Sequence, residues 1–164
     1  MQDLIILIGF MGSGKTFLGN KLAQLLSVDF YDLDREMEVR TKMTIPEFFT
    51  QFGEKKFRQL ESRVFLNWKL PGVIATGGGL VDLEINRKFL KSDNKLVVWL
   101  DPDWDVIWSR ISETSRPLVK KHSDLALKEL WIKRCPYYRE SCDIRYQDHD
   151  PSRLRDLIYN NHTD

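Results

Sequence analysis

The 164-residue sequence contains only two cysteines and three histidines. Cys135 and Cys142 lie in a segment with helical periodicity, where their separation of about 10 Å along a helix axis is too long for a disulfide. The histidines are scattered, without the spacing of zinc ligands to one another or to the cysteines. We therefore expect free thiols in a reducing compartment and no zinc site.

Long hydrophobic segments are also missing. No apolar run approaches the roughly 18 residues that a membrane-spanning helix needs. The chain opens with Met-Gln-Asp and a short apolar run, without the positive flank or the length of a secretory signal. These absences predict a cytoplasmic protein that does not bind membranes.

Neither sign of charge is in excess. The sequence has 25 Lys and Arg against 24 Asp and Glu, a formal net charge of +1. This balance creates no overall field to attract nucleic acid, so we expect no nucleic-acid partner, and any anionic ligand must be recognised locally. The length and the hydrophobic content of 42% are sufficient for one core. We predict a single domain over residues 1–164, and a monomer.

Five short apolar, β-branched or aromatic runs stand between segments with helical periodicity. They are Leu4–Ile8, Asp29–Leu33, Val73–Thr76, Leu96–Leu100 and Asp143–Tyr146. Strands that alternate with helices predict parallel pairing through right-handed crossovers, and continuous apolar runs indicate strands buried on both faces. The predicted fold class is therefore α/β, a three-layer sandwich with a five-stranded parallel sheet.

Two segments interrupt this alternation. Residues 35–70 predict two or three helices, in which Thr44 and Glu47 fit a capping box. One apolar face of this region consists of Phe48, Phe49 and Phe52. We expect the insertion to cover a substrate. Residues 112–123 are polar, basic and interrupted by proline, which predicts a mobile loop.

Residues 9–16 read Gly-Phe-Met-Gly-Ser-Gly-Lys-Thr and match the phosphate-binding-loop pattern G-x-x-x-x-G-K-[ST] at each fixed position. The motif follows a predicted strand and opens a helical pattern, as this loop requires. Glycines let backbone N–H groups wrap around phosphates, beside the positive end of the helix. We predict that Lys15 contacts the β- and γ-phosphates of ATP and that Thr16 coordinates Mg²⁺. The predicted ATP-binding residues of the loop are Gly12, Ser13, Gly14, Lys15, Thr16 and Phe17.

Further motifs follow along the chain. They are Asp32-Leu-Asp34, Gly53-Glu-Lys-Lys-Phe-Arg58-Gln-Leu-Glu61, Gly77-Gly78-Gly79, Arg116-Pro-Leu and Arg134-Cys-Pro-Tyr-Tyr138. Together with the phosphate-binding loop they resemble the motifs of shikimate kinases, within the nucleoside monophosphate kinase-like P-loop group. The resemblance extends from Leu4 to about Leu157. It implies transfer of the γ-phosphoryl group of ATP to the 3-hydroxyl of shikimate, with Mg²⁺ as cofactor, in aromatic amino acid biosynthesis.

The resemblance implies different roles for the two aspartates of the first motif. Asp32 would hold water on the metal, and Asp34 would bind the substrate hydroxyls and accept a proton. Because residues two apart on a strand share a face, we expect both carboxylates to project into the crevice beyond the sheet.

The resemblance also implies that two arginines bind the carboxylate of shikimate. Arg58 offers two parallel donors that a lysine could not supply, and Glu61, one helical turn on, would hold it or face its neighbours. Arg134 would contact the same carboxylate. The glycine run would place bare backbone against the substrate ring, at Gly77, Gly78 and Gly79.

Three residues are expected at the nucleotide. Arg116-Pro-Leu resembles the lid motif of the family, which implies that residues 112–123 form a lid. Arg116 is predicted to act as an arginine finger, because an arginine on a mobile loop can neutralise the transferring phosphoryl group. By resemblance, Arg110 and Pro151 would lie near the adenine. The segment 146–151 fits the adenine-contacting segment of the family only loosely.

Three other functions fit parts of the sequence. Residues 96–101 imitate the metal-binding strand of P-loop motors and switches, although no glutamate follows Asp101 and the chain is short for a motor. Guanine preference, or ATP hydrolysis stimulated by a protein partner, would identify that class. Another small-metabolite kinase, acting on gluconate or a nucleotide, would have the same loop without the substrate-side motifs. A non-catalytic nucleotide-binding module would not need Asp34, Arg58 and Arg134 together.

Overall fold

The computed structural model describes residues 4–114, 119 and 122–160. Its strands are β1 (Leu4–Ile8), β2 (Phe30–Asp32), β3 (Gly72–Ala75), β4 (Lys95–Leu100) and β5 (Ile144–Tyr146). Its helices are α1 (Lys15–Leu26), α2 (Leu33–Thr41), α3 (Ile45–Leu66), the 3₁₀ helix η1 (Leu80–Asp82), α4 (Glu84–Leu90), α5 (Trp104–Ile111), α6 (Asp124–Ser141) and α7 (Pro151–Asn160). The predicted arginine finger, Arg116, and part of the predicted lid lie outside the described residues.

The five strands form one parallel sheet in the order β2-β3-β1-β4-β5. In the central strand β1, Ile6 lies opposite Ile74 of β3 and Val97 of β4. The prediction of a five-stranded parallel sheet is confirmed, and each strand begins and ends within one residue of its predicted limits.

Helices cover both faces of this sheet. Along β1, Ile6 and Ile8 belong to one core cluster, whereas Ile5 and Leu7 belong to the other. The first cluster includes side chains of α2, α3, α5 and α6, and the second includes side chains of α1 and α7. Every residue of β4 is buried, as expected of a strand covered on both faces. The predicted three-layer sandwich is confirmed.

The predicted helical insertion consists of α2 and α3. The capping box is present, since the Thr44 backbone N–H donates to Glu47 Oε2 at 2.8 Å and the Glu47 N–H donates to Thr44 Oγ1 at 3.4 Å. Gly53 interrupts α3 with non-helical backbone angles, φ 78° and ψ 164°, so the helix is kinked there. Of the predicted apolar face, Phe48 is buried and Phe52 is 38% exposed. The kink separates the start of α3 from its second half, which carries the arginine motif.

The prediction that Asp32 and Asp34 share a strand face is wrong. Asp32 is the last residue of β2, and Asp34 lies in the first turn of α2. Oδ1 of Asp32 accepts the backbone N–H groups of Asp34 at 3.1 Å and Arg35 at 3.4 Å. Asp32 is thus the N-cap of α2, and the helix starts immediately because these N–H groups are satisfied.

The two cysteines are free. Cys135 lies within α6 and Cys142 is the C-cap residue of that helix. In the described part of the chain, no helix combines the length and the apolar character required to cross a membrane.

Candidate active site

The phosphate-binding loop connects β1 to α1. Gly14 is the N-cap of α1 with φ 96°, a left-handed conformation that glycine adopts without strain. Lys15 Nζ donates to the carbonyl oxygens of Gly9 and Phe10, each at 2.8 Å, and to Ser13 Oγ at 3.3 Å. Its side-chain ammonium is therefore held within the loop, at the end of α1 where an anion binds.

Thr16 connects this loop to the end of β2. Its hydroxyl donates to Asp32 Oδ2 at 2.7 Å, while the other oxygen of Asp32 caps α2. A hydroxyl and a carboxylate therefore lie side by side beyond the carboxyl edge of the sheet. These are the oxygen ligands that Mg²⁺ prefers, so the two predicted metal-site residues fit the ion.

A cavity of about 240 Å³ opens beside the loop. It is lined by Ser13, Gly14, Phe17, Leu18, Arg110 and His149. The Phe17 side chain is 66% exposed. Arg110 Nη1 donates to the carbonyl of Gly12 at 3.1 Å, and its Nη2 lies 3.4 Å from His149 Nε2. An exposed aromatic ring and a guanidinium beside a phosphate-binding loop suit the flat ring of a nucleobase.

The structure brings Phe17 and Arg110 together, as expected for nucleotide contacts. Pro151 is the first residue of α7 and is not among the residues that line this cavity. His149, two positions earlier, lines it instead and was not predicted. Because Arg110 and His149 lie on different elements, their contact had no local signal in the sequence.

Arg58 and Glu61 form an ion pair in the second half of α3. Arg58 Nη1 donates to Glu61 Oε2 at 2.8 Å, and Arg58 Nη2 lies 3.5 Å from Glu54 Oε1. The Glu61 side chain is only 1% exposed. Burial raises the pKa of Glu61, and the charge of Arg58 opposes that rise. Of the two possibilities predicted for Glu61, the structure shows the one in which it holds Arg58.

The glycine run after β3 lies directly against this pair. A Cβ added at Gly79 would be 2.5 Å from Arg58 Cζ, and one at Gly77 would clash with Glu61 and lie 3.2 Å from Asp34 Oδ1. Only bare backbone allows these side chains to approach so closely. The structure therefore places Asp34, Arg58 and the glycine run together, as the sequence predicted.

Tyr138 of α6 connects the glycine run to the other arginine. Its hydroxyl donates to the carbonyl oxygen of Gly78 at 2.5 Å. Burial raises the pKa of Tyr138, so the hydroxyl remains a proton donor. Since Tyr138 follows Arg134 by one helical turn, this bond helps to position α6 against the glycine run.

Arg134 is paired with Asp82, a residue that the sequence motifs did not indicate. Nε of Arg134 donates to Asp82 Oδ1 at 3.0 Å, and Nη2 donates to Oδ2 at 2.6 Å. The two residues line a cavity of about 430 Å³, and Glu54, the neighbour of Arg58, lines it as well. The structure thus brings both predicted carboxylate-binding arginines to one region and pairs each with a carboxylate.

Asp101 follows β4, the strand that resembles the metal-binding strand of P-loop motors. Its carboxylate is paired with an arginine. Arg145 of β5 donates from Nε to Asp101 Oδ2 at 2.7 Å, and its Nη2 lies 2.6 Å from the same oxygen. The Asp101 side chain is only 6% exposed. This ion pair connects β4 to β5. It explains why a buried aspartate stands at this position without a metal site of the motor type.

A parallel sheet with a phosphate-binding loop after its central strand is the architecture of P-loop proteins, and a second group of charged side chains near that loop is typical of the kinases among them. The sequence model of the family described as "Shikimate kinase" matches residues 11–159. The chain belongs to the shikimate kinase family.

Individual relatives support this membership. A shikimate kinase of Macrococcus caseolyticus (strain JCSC5402) is 35% identical over 161 residues, covering 96% of this chain and 93% of the relative. A shikimate kinase of Ruegeria pomeroyi is 41% identical over 145 residues, covering 86% and 74%. The matches therefore extend over most of the chain.

Solved structures agree at the level of the fold. A shikimate kinase from Acinetobacter baumannii in complex with shikimate superposes with a TM-score of 0.88 at 32% identity, covering 98% of this chain and 95% of that one. The Aquifex aeolicus shikimate kinase gives a TM-score of 0.81 at 35% identity, covering 98% and 96%. A deoxyadenosine kinase from M. mycoides, at 14% identity, a TM-score of 0.57 and 98% coverage of both chains, shares the fold alone.

Proposed function

We propose that this protein transfers the γ-phosphoryl group of ATP to the 3-hydroxyl of shikimate, giving shikimate 3-phosphate and ADP. The observation that carries the proposal is the presence of two largely buried arginines, Arg134 beside the phosphate-binding loop and Arg58 against the glycine run. Arg134 Cζ lies 5.8 Å from the ring centroid of Phe10 in that loop. Two guanidinium groups near a phosphate site suit a substrate with both a carboxylate and a hydroxyl, as shikimate has.

The nucleotide would bind along the loop and the 240 Å³ cavity. Lys15 would contact the β- and γ-phosphates with backbone N–H groups of the loop, and Phe17 and Arg110 would face the adenine, with Pro151 as a further contact. Thr16 would hold Mg²⁺ directly and Asp32 would hold it through water. When bound, the ion would neutralise charge on the phosphates.

Asp34 would orient the attacking hydroxyl and accept its proton. A bond would form between that hydroxyl oxygen and the γ-phosphorus while the bond from phosphorus to the bridging oxygen of ADP breaks. This transfer needs positioning and charge neutralisation and no nucleophilic side chain. Lys15 would stabilise the developing charge, as would Arg116, which lies outside the described residues. Because a single sheet positions the described residues of the site, we also propose a single kinase domain.

A coupled assay of ADP release tests the proposal. The acceptors would be shikimate, quinate, gluconate and a set of nucleoside monophosphates, each with ATP and Mg²⁺. We expect fast turnover with shikimate only, and quinate is the closest control because it also carries a carboxylate on a hydroxylated ring. Fast turnover with gluconate or a nucleotide, and none with shikimate, would refute the proposed substrate.

A further inference from the structure

The carboxylate of Asp82 is hydrogen-bonded to Arg134, which the proposed function assigns to the carboxylate of the substrate. We propose that Asp82 is an internal ligand of Arg134 that the carboxylate of shikimate displaces, so that Asp82 sets the affinity for this substrate. The inference rests on the proposed function, because it requires Arg134 to bind shikimate.

The contact uses the edge of Arg134 that a carboxylate would use. Nε and Nη2 of Arg134 are adjacent donors, and each donates to a different oxygen of Asp82, at 3.0 Å and 2.6 Å. This parallel two-point contact is the preferred geometry between a guanidinium and a carboxylate. A substrate carboxylate would form the same pair of bonds, so the two carboxylates compete for one edge.

The third nitrogen of Arg134 does not offer a ligand another approach. Nη1 is buried and has no hydrogen-bond partner among the residues that the structure describes. The Arg134 side chain as a whole is 3% exposed, whereas that of Asp82 is 39% exposed. Both residues line the 430 Å³ cavity. Asp82 therefore lies on the accessible side of the guanidinium, and a ligand that enters from the cavity reaches Arg134 by replacing it.

The charge of the cavity lining acts against an incoming carboxylate, but the exchange itself keeps Arg134 paired. The lining includes three carboxylates, Glu54, Asp82 and Glu129, and two cationic side chains, Lys133 and Arg134. This excess of negative charge opposes the entry of an anion. When the substrate takes the place of Asp82, the buried Arg134 keeps a carboxylate partner, so the exchange leaves no buried charge unpaired.

The exchange requires only rotation of one side chain. The Asp82 backbone N–H donates to the carbonyl of Gly79 at 3.0 Å. Arg87 Nη1 donates to the carbonyl oxygens of Val81 at 2.7 Å and Asp82 at 3.3 Å, and Arg87 Nε donates to Glu140 at 2.7 Å. The backbone of η1 is thus held by Gly79 on one side and by Arg87 on the other. We therefore expect release of the Asp82 side chain to change substrate affinity without moving the glycine run.

Kinetics of three Asp82 variants test the proposal. In Asp82→Asn, which retains the shape of the side chain, the KM for shikimate should fall about three- to tenfold, while kcat and the KM for ATP stay unchanged. Asp82→Ala should lower the KM for shikimate at least as much. Asp82→Glu, which keeps a carboxylate near Arg134, should return the KM towards the wild-type value.

Glu129→Gln is the matched control. It removes one carboxylate from the same cavity lining, and in the described structure Glu129 forms no ion pair with Arg134. If the effect were only the general charge of the cavity, Glu129→Gln would lower the KM as much as Asp82→Asn does. We expect a change of less than about twofold.

Binding without turnover gives a second readout. Calorimetric titration of shikimate into Asp82→Asn should show a lower Kd, and shikimate should raise the melting temperature of this variant more than that of the wild type. An unchanged or higher KM and Kd in folded Asp82→Asn and Asp82→Ala would overturn the inference and indicate that Asp82 positions Arg134 for the substrate. Absence of shikimate turnover in the wild type would instead refute the proposed function.

Discussion

The phosphate-binding loop and the carboxylate-binding region of this site are built in opposite ways. Lys15 takes its hydrogen-bond acceptors Gly9, Phe10 and Ser13 from within its own loop. Arg134 takes its partner Asp82 from a different element. These three contacts of Lys15 lie within one short segment, whereas the Arg134–Asp82 pair exists only when α6 packs against η1.

This difference affects how each region responds to mutation. A substitution of Lys15 removes hydrogen bonds to groups that are neighbours in sequence, so its effect should be confined to ATP. In the carboxylate-binding region each arginine is paired with carboxylates, Arg58 with Glu54 and Glu61 and Arg134 with Asp82. Energies of such coupled groups are not additive, and substitutions there act through their partners.

The largest effect is expected from Lys15→Met. Loss of the ammonium that would contact the phosphates should lower kcat about a thousandfold or more, with the fold retained. Single-turnover assays and circular dichroism would measure both. Lys21→Met, which removes an exposed lysine from the same helix, is the control and should keep wild-type turnover. Near-normal turnover by folded Lys15→Met would rule out the assigned role of the loop.

Arg58→Lys should have the next largest effect. The ammonium of lysine is a compact charge and cannot donate the two parallel hydrogen bonds of a guanidinium. The KM for shikimate should therefore rise about ten- to a hundredfold, while the KM for ATP changes little. Steady-state kinetics with each substrate varied would measure this. Arg63→Lys, at an exposed position of the same helix, should leave both constants unchanged. A higher KM for ATP with an unchanged KM for shikimate would mean that the two regions are assigned the wrong way round.

Asp32→Asn and Asp34→Asn should have smaller and distinguishable effects. Asparagine caps a helix as well as aspartate does, so Asp32→Asn should fold normally. Loss of its charge beside Thr16 should raise the magnesium requirement about tenfold, and excess magnesium should restore turnover.

Excess magnesium should not rescue Asp34→Asn. An amide is a much weaker base than a carboxylate, so this variant should show both a lower kcat and a higher KM for shikimate. Titration of magnesium and shikimate against both variants measures the difference. Identical magnesium profiles, or metal rescue of Asp34→Asn, would contradict the separate roles.

The smallest effect is expected at the start of α3, outside both regions. Thr44→Ala removes the hydroxyl half of the capping box and should lower the free energy of unfolding by about 1 kcal/mol, with unchanged kinetics. Thr44 lowers the pKa of Glu47 through backbone and side-chain hydrogen bonds. The part that comes from the Thr44 hydroxyl is removed in the variant, whereas the backbone bond remains. This stabilisation is present above the ordinary Glu pKa of 4.5 and is lost as the pH falls through the lower folded value.

Urea denaturation at neutral and acidic pH would test this, and the difference between wild type and Thr44→Ala should shrink in acid. Thr50→Ala, on the same helix, is the control, since it removes a hydroxyl that bonds to the Pro46 carbonyl and leaves the cap intact. A changed KM for shikimate in Thr44→Ala would mean that the helix start contributes to the site.

The amino-acid sequence by itself determined the features that depend on a few neighbouring residues. Apolar runs specified the five strands, and the pattern from Gly9 to Thr16 specified the phosphate-binding loop. The Arg58–Glu61 pair was also predictable, because residues three apart on a helix are neighbours.

Only the tertiary structure decided which distant groups meet. Asp32 caps α2 through neighbouring N–H groups, but its contact with the Thr16 hydroxyl of α1 joins two different elements. The pairing of Arg134 with Asp82 likewise has no signal in the sequence. Such contacts depend on how helices pack on the sheet, and that packing minimises the free energy of the whole core, so no short segment encodes it.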